Sequence, residues 1–177
     1  MDRKRLGLDT PRELLAKLDW EIEQASGVEP QKEAVASYRA FNCAVTAWSI
    51  CDWVWNSASK DLRNRFKRES PKPNAKGSEP LAALLRKRSR QLAICQQLAN
   101  GSKHFVLKKY NDPAVSSKRL PSMTYLFSDD GKEGRVAAGP SAVFIEDGSQ
   151  MYGSVALFSE VRDFWRDFFN KYEIGGK

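Results

Sequence analysis

The segment Ala99-Asn100-Gly101-Ser102-Lys103-His104 gathers the groups in this 177-residue chain best suited to chemistry. His104 is the sole histidine, and an imidazole that titrates near neutral pH serves as a general acid or base. Lys103 beside it supplies positive charge for a phosphate and for the charge that develops on it during transfer. Asn100 offers an amide that orients a substrate or the imidazole ring. The plainer alternative is that Asn100 and Gly101 terminate a helix and His104 caps a carbonyl.

Asn42, Thr46, Ser49, Asp52 and Asn56 recur at helical spacing and so share one face of a helix. Asp52 sits between Cys51 and Trp53, and a buried carboxylate there needs a partner, for which His104, Lys103 or a downstream arginine are the candidates. An aspartate holding His104 fixes its tautomer. The competing reading leaves this stripe in water, or makes Asp52 a hydrogen-bond anchor between helices.

Charge points to a partner class. Between Lys60 and Lys109 fourteen Lys and Arg face three acids, a net of +11 in a chain whose total is +7. Such density attracts polyanions by counterion release, and nucleic acid is the commonest of them. Arg63, Arg65, Lys67, Arg68, Arg86, Arg88 and Arg90 are the candidate nucleic-acid contacts; a merely solvated basic surface is the competing reading.

Other classes lack their residues. One histidine rules out a three-His zinc site, an HExxH helix and a Cys2His2 finger, so no metal and no cofactor are expected. Cys43, Cys51 and Cys95 lie in apolar helical segments and read as buried thiols. No GxGxxG, GxxxxGK[ST] or GxSxG pattern occurs. With 41% hydrophobic residues the chain has material for one core, and the apolar run from Ala44 to Cys51 is far short of the ~20 residues of a bilayer span. No membrane association and a cytoplasmic location are expected, since the opening residues lack the apolar stretch of a secretion signal.

The elements that position these groups follow from periodicity. Thr10-Pro11-Arg12-Glu13 is a capping box opening a helix over about residues 10–26. A long helix over about 30–58 carries Val35, Tyr38, Phe41, Val45, Trp48 and Trp55 as its apolar stripe. Residues 60–77, with Pro71, Pro73 and Gly77, read as a basic loop. A helix over about 78–100 turns Leu81, Leu84, Leu85, Leu92, Cys95 and Leu98 inward and stops at Gly101. The period then changes. Met123 to Phe127, Arg135 to Ala138, Ala142 to Glu146 and Met151 to Ala156 are β-prone runs that predict hairpins over about 122–157. A final helix over about 159–173 bears Val161, Phe164, Trp165, Phe168, Phe169 and Tyr172 on one face, which must be buried. The expected fold class is α+β, mainly α: a single domain built as a bundle of about four helices, with a small antiparallel β-meander inserted before the last one.

At Ala99 to His104 the chain resembles HEPN domains, small helical modules of bacterial toxins, phage-defence proteins and RNA-processing systems. Their motif is an arginine, a polar residue, usually three variable residues and a histidine. Asn100 and His104 match the polar residue and the histidine, while Ala99 stands where the arginine belongs. The resemblance implies a homodimer with a metal-independent ribonuclease centre at the protomer interface, and Ala99 puts that cleavage in question. Read together, the residues suggest a HEPN-like protein that binds RNA or another polyanion. Its catalytic form is an endoribonuclease using His104, with Lys103 on phosphate, Asn100 orienting and Asp52 positioning the imidazole. The alternative is a non-catalytic protein-interaction module, antitoxin-like or an assembly subunit, in which Asp52, Asn100 and His104 form a buried network. A third reading makes Trp48, Trp53 and Trp55 a small-molecule pocket.

Overall fold

The computed structural model describes residues 6–27, 33–103, 111–127 and 134–175. Among them are six helices, α1 (Pro11–Ser26), α2 (Glu33–Ser57), α3 (Lys60–Glu69), α4 (Glu79–Arg88), α5 (Arg90–Lys103) and α6 (Ser154–Lys171), and three strands, β1 (Val115–Phe127), β2 (Gly134–Asp147) and β3 (Gln150–Gly153). The protein is therefore mainly helical with one small sheet.

α1 opens as its sequence dictates. The Thr10 hydroxyl accepts from the Glu13 amide and the Glu13 carboxylate accepts from the Thr10 amide at 2.8 Å, the reciprocal pairing of a capping box. Its stripe of Leu14, Leu15, Leu18 and Ile22 is buried.

α2 runs through the middle of the molecule, packed on α1, α5 and α6, and its rotation differs from expectation. The buried face is Ala40, Cys43, Ala44, Ala47, Ile50, Cys51 and Val54, whereas Tyr38 and Phe41 are exposed and Val45, Trp48 and Trp55 only half-buried. A helix with neighbours on three sides needs small residues where backbones approach, so size rather than hydropathy selects the inner face. The three cysteines are free and buried, and burial raises each thiol above its ordinary value.

The expected basic loop is in large part a helix. Ser59 caps α3 by accepting from the Leu62 amide at 3.2 Å, Asp61 lies in the first turn, and Lys67 and Arg68 complement the last. Phe66 is its one buried residue. An apolar face of Leu62 and Phe66 is too sparse for a periodicity signal among so many charges, yet sufficient once Phe66 meets Phe168 at 5.8 Å and Tyr172 at 5.0 Å between ring centroids.

The helix expected over 78–100 is two helices. Ser89 leaves helical geometry (φ −140°, ψ 114°); its amide closes α4 on the Leu85 carbonyl and its hydroxyl accepts from the Leu92 amide, opening α5. At the far end α5 passes through Gly101 to Lys103. Gly101 is not a stop, because the residues around it keep helical geometry and no left-handed turn is required there.

The sheet is antiparallel in the order β1-β2-β3. The two runs expected at 135–138 and 142–146 are joined across Gly139-Pro140 into β2, and the irregularity this demands appears opposite, between Pro121 and Met123. β2 turns into β3 through Gly148, whose φ of +60° suits a glycine. Val143 and Ile145 carry the sheet into the core. α6 follows β3 directly, five residues before its expected start, and buries Phe158, Val161, Trp165, Phe168 and Phe169 against the other helices. The Trp165 indole donates to the Ala47 carbonyl at 3.0 Å, tying α6 to α2.

Candidate functional site

The end of α5 holds the candidate motif. Ala99 is buried and Asn100 half-buried, while Gly101 lies at the surface beside a polar recess of about 270 Å3 formed with Gln97, Asn111, Asp112 and Ser116. The recess is built by a chain of bonds. Gln97 Oε1 accepts from the Asp112 amide at 3.2 Å, Asp112 Oδ1 accepts from the Ala114 amide at 3.0 Å, and the other Asp112 oxygen pairs with Arg90 at 2.8 Å. Lys103 ends the helix. His104, and with it the geometry of the proposed catalytic group, lies outside the described residues, as do Lys108 and Lys109.

Asp52 is exposed and accepts from the Ser78 hydroxyl at 2.7 Å, joining α2 to the start of α4. Its companions on the polar stripe diverge. Thr46 is buried and accepts from Lys17 at 2.8 Å, Ser49 donates to the Val45 carbonyl, and Asn42 and Asn56 are exposed. The buried carboxylate of this region is instead Glu21, paired with Lys17 across one turn of α1, with its Oε2 unpartnered among the described residues. The spacing Leu14, Leu18, Glu21, Ala25 marks position 21 as inward-facing, a signal available in the sequence.

The basic block divides into structural and free cations. Arg63 donates to the Trp55 and Asn56 carbonyls at 2.8 and 2.9 Å and lies over the Trp55 ring, so it finishes α2. Arg65 and Arg88 meet at Glu69, at 3.1 and 2.5 Å, and both guanidinium groups face the Tyr172 ring. The Tyr172 hydroxyl bonds Glu69 at 2.5 Å and Arg88 at 2.6 Å. That tyrosine bond, ahead of those from Arg65 and Arg88 and against the effect of burial, holds the Glu69 carboxyl below its ordinary value. Arg86 pairs with Glu79 at 2.6 Å and with Gln96, and Arg90 grips Asp147 as well as Asp112. Five of the seven candidate contacts, Arg63, Arg65, Arg86, Arg88 and Arg90, thus also fasten elements together.

Lys67 and Arg68 are exposed, and with Lys60, Lys76 and Lys87 they have no acidic partner among the described residues. These last three lysines were not among the sequence candidates; for Lys60 and Lys87 the cue was the absence of an acid three or four positions away on the same helix face, whereas Lys76, three residues before Glu79, carried no such signal. α3 and α4 are packed together, and these cations are carried by the two helices and the turn that joins them. Trp48, Trp53 and Trp55 are half-buried against the core, and no tryptophan lines the polar recess. Among the described residues no group of three or more His, Cys, Asp or Glu is placed to hold a metal, and no helix is long and apolar enough to cross a membrane.

Comparison with known proteins finds no matching family model, no matching curated protein and no matching solved structure.

Proposed function

We propose that this protein binds polyanions, RNA in particular, through the surface of α3, the turn that follows and α4. The observation that carries the reading is the set of exposed cations with no acidic partner among the described residues: Lys60, Lys67, Arg68, Lys76 and Lys87. Cations already paired gain little from a phosphate, because the ion pair must first be given up; unpaired ones release counterions at no such cost. The resemblance to HEPN domains adds cleavage centred on His104, with Asn100 and Lys103 at the helix end beside it, and a homodimer.

Fluorescence anisotropy with a labelled RNA pool over a salt series tests binding. Neutralising three free cations, Lys67→Gln, Arg68→Gln and Lys87→Gln together, should weaken binding and lower the slope of log K against log salt by about 2–3. Equal affinity and slope for the variant would end the proposal. Gel analysis of the same mixtures without metal, with wild type and His104→Ala, reads the cleavage component separately from binding.

A second reading, a non-catalytic protein-interaction module, is favoured by one observation. Trp20, Tyr38 and Phe41, on the outer surface of α1 and α2, are 59%, 65% and 49% exposed, and aromatic side chains are enriched where protein surfaces meet. Sedimentation of wild type and Tyr38→Ser/Phe41→Ser, compared for self-association, tests that face.

A further inference from the structure

We propose that the space enclosed by α2, the end of α5, α6 and the β1/β2 ribbon binds a small amphipathic carboxylate, its apolar tail inside and its carboxylate on Arg119. The cavity measures about 390 Å3, within the size range of small-molecule sites. Its helix-side walls are Phe41, Ala44, Leu98 and Phe158, Val143 and Ile145 lie beneath, Lys118 and Arg119 border it on β1, and no acid is among the described residues that line it.

The placement of Arg119 makes this more than an apolar gap. Side chains alternate across a strand. In β2, Val143 and Ile145 are buried towards the helices, and their register partners in β1 are Arg119 and Ser117. Arg119 therefore sits on the helix-facing side of the sheet, at the mouth of the cavity, with no ion pair to any described residue. Lys118 also borders the cavity, but its ammonium pairs with Glu146. An unpaired guanidinium at the rim of an apolar chamber matches a ligand with one planar anionic head and a hydrocarbon body, because a carboxylate accepts two parallel N–H bonds from that fork. A polyphosphate fits less well, since of the two bordering cations Lys118 is already paired with Glu146 and the larger part of the wall is apolar. The site is separate from the α3/α4 surface and does not depend on polyanion binding.

Isothermal titration of the full chain with octanoate, and with octan-1-ol as its neutral counterpart, tests the proposal. Octanoate should bind wild type at least about tenfold more tightly than octanol, the gain of one charge-assisted hydrogen bond. Arg119→Gln, a change at an exposed position that leaves the core intact, should lower octanoate to the octanol level. Ala44→Leu, which fills the floor, should abolish both, and its folding is checked by circular dichroism. Absence of octanoate binding to wild type, equal binding of acid and alcohol, or an Arg119→Gln variant that binds as wild type each overturns the proposal. If wild type ignores octanoate and Arg119→Gln self-associates, the arginine instead keeps the edge strand β1 from pairing with another chain.

Discussion

Phe66→Ala tests how the basic surface is held. Phe66 is the only buried residue of α3 and is fully enclosed, with aromatic contacts to Phe168 and Tyr172. Truncating a buried phenylalanine costs about 3–5 kcal/mol, combining lost transfer energy with the cavity left behind. Against a whole domain of this size that corresponds to a fall in Tm of about 6–20 °C. The predicted effect on the global transition is at the low end or below, for a specific reason. A ten-residue helix is not stable alone, so once its anchor is gone α3 releases locally and the remaining helices do not share the full penalty. Hydrogen exchange read by mass spectrometry should then show loss of protection confined to residues 60–69 and the facing end of α6, with α1, α2 and α5 unchanged. RNA affinity should fall with it, although no charge has been altered. Retained protection over 60–69 with a stability change under about 1 kcal/mol would refute the assignment of Phe66 as the anchor of α3.

Glu69 has its folded value held below the ordinary 4.5, first by the Tyr172 hydroxyl and then by Arg65 and Arg88. Its contribution is therefore complete above about pH 4.5 and is lost as pH falls through the lowered value. Tm should drop across that window by thermal melts, and Glu69→Gln should flatten the profile there. Arg90→Ala releases Asp112 and Asp147 at once; because the arginine side chain is 45% exposed, the loss should be modest, about 1 kcal/mol, but exchange over residues 111–116 should quicken clearly. Trp165→Phe removes the bond to the Ala47 carbonyl from a fully buried position and should cost about 1–3 kcal/mol in urea unfolding, with self-association unchanged.

Much of the helical frame could be read from sequence where local signals and burial agree. Thr10 and Glu13 announce the start of α1, and Val161, Trp165, Phe168 and Phe169 announce the inner face of α6. Elsewhere the deciding interaction lies far along the chain. α3 exists because Phe66 finds residues a hundred positions away, and no local pattern carries that. The α4/α5 break at Ser89 is hidden because serine is acceptable inside a helix and only becomes a cap when tertiary packing bends the chain. α2 misleads in the opposite way, since its loudest apolar residues are the ones left outside by crowding within. At the candidate site, the overall positive charge was plain, but its division was not: separating the fastening arginines from the free lysines requires knowing where Glu69, Glu79, Asp112, Asp147 and the end of α2 fall. Arg119 was invisible for the same reason, as its meaning comes from the strand facing it.

The contact of Phe66 with Phe168 and Tyr172 has a consequence for how the chain is made. Synthesis is vectorial and early elements ordinarily settle first, yet the aromatic contacts of Phe66 with Phe168 and Tyr172 cannot form until the end of α6 has emerged from the ribosomal tunnel. A nascent chain thus carries its lysines and arginines in an unorganised form while it is tethered to a particle made largely of RNA. The surface proposed to grip a polyanion is fully anchored only after residue 172 is in place, which ties its completion to the last helix made.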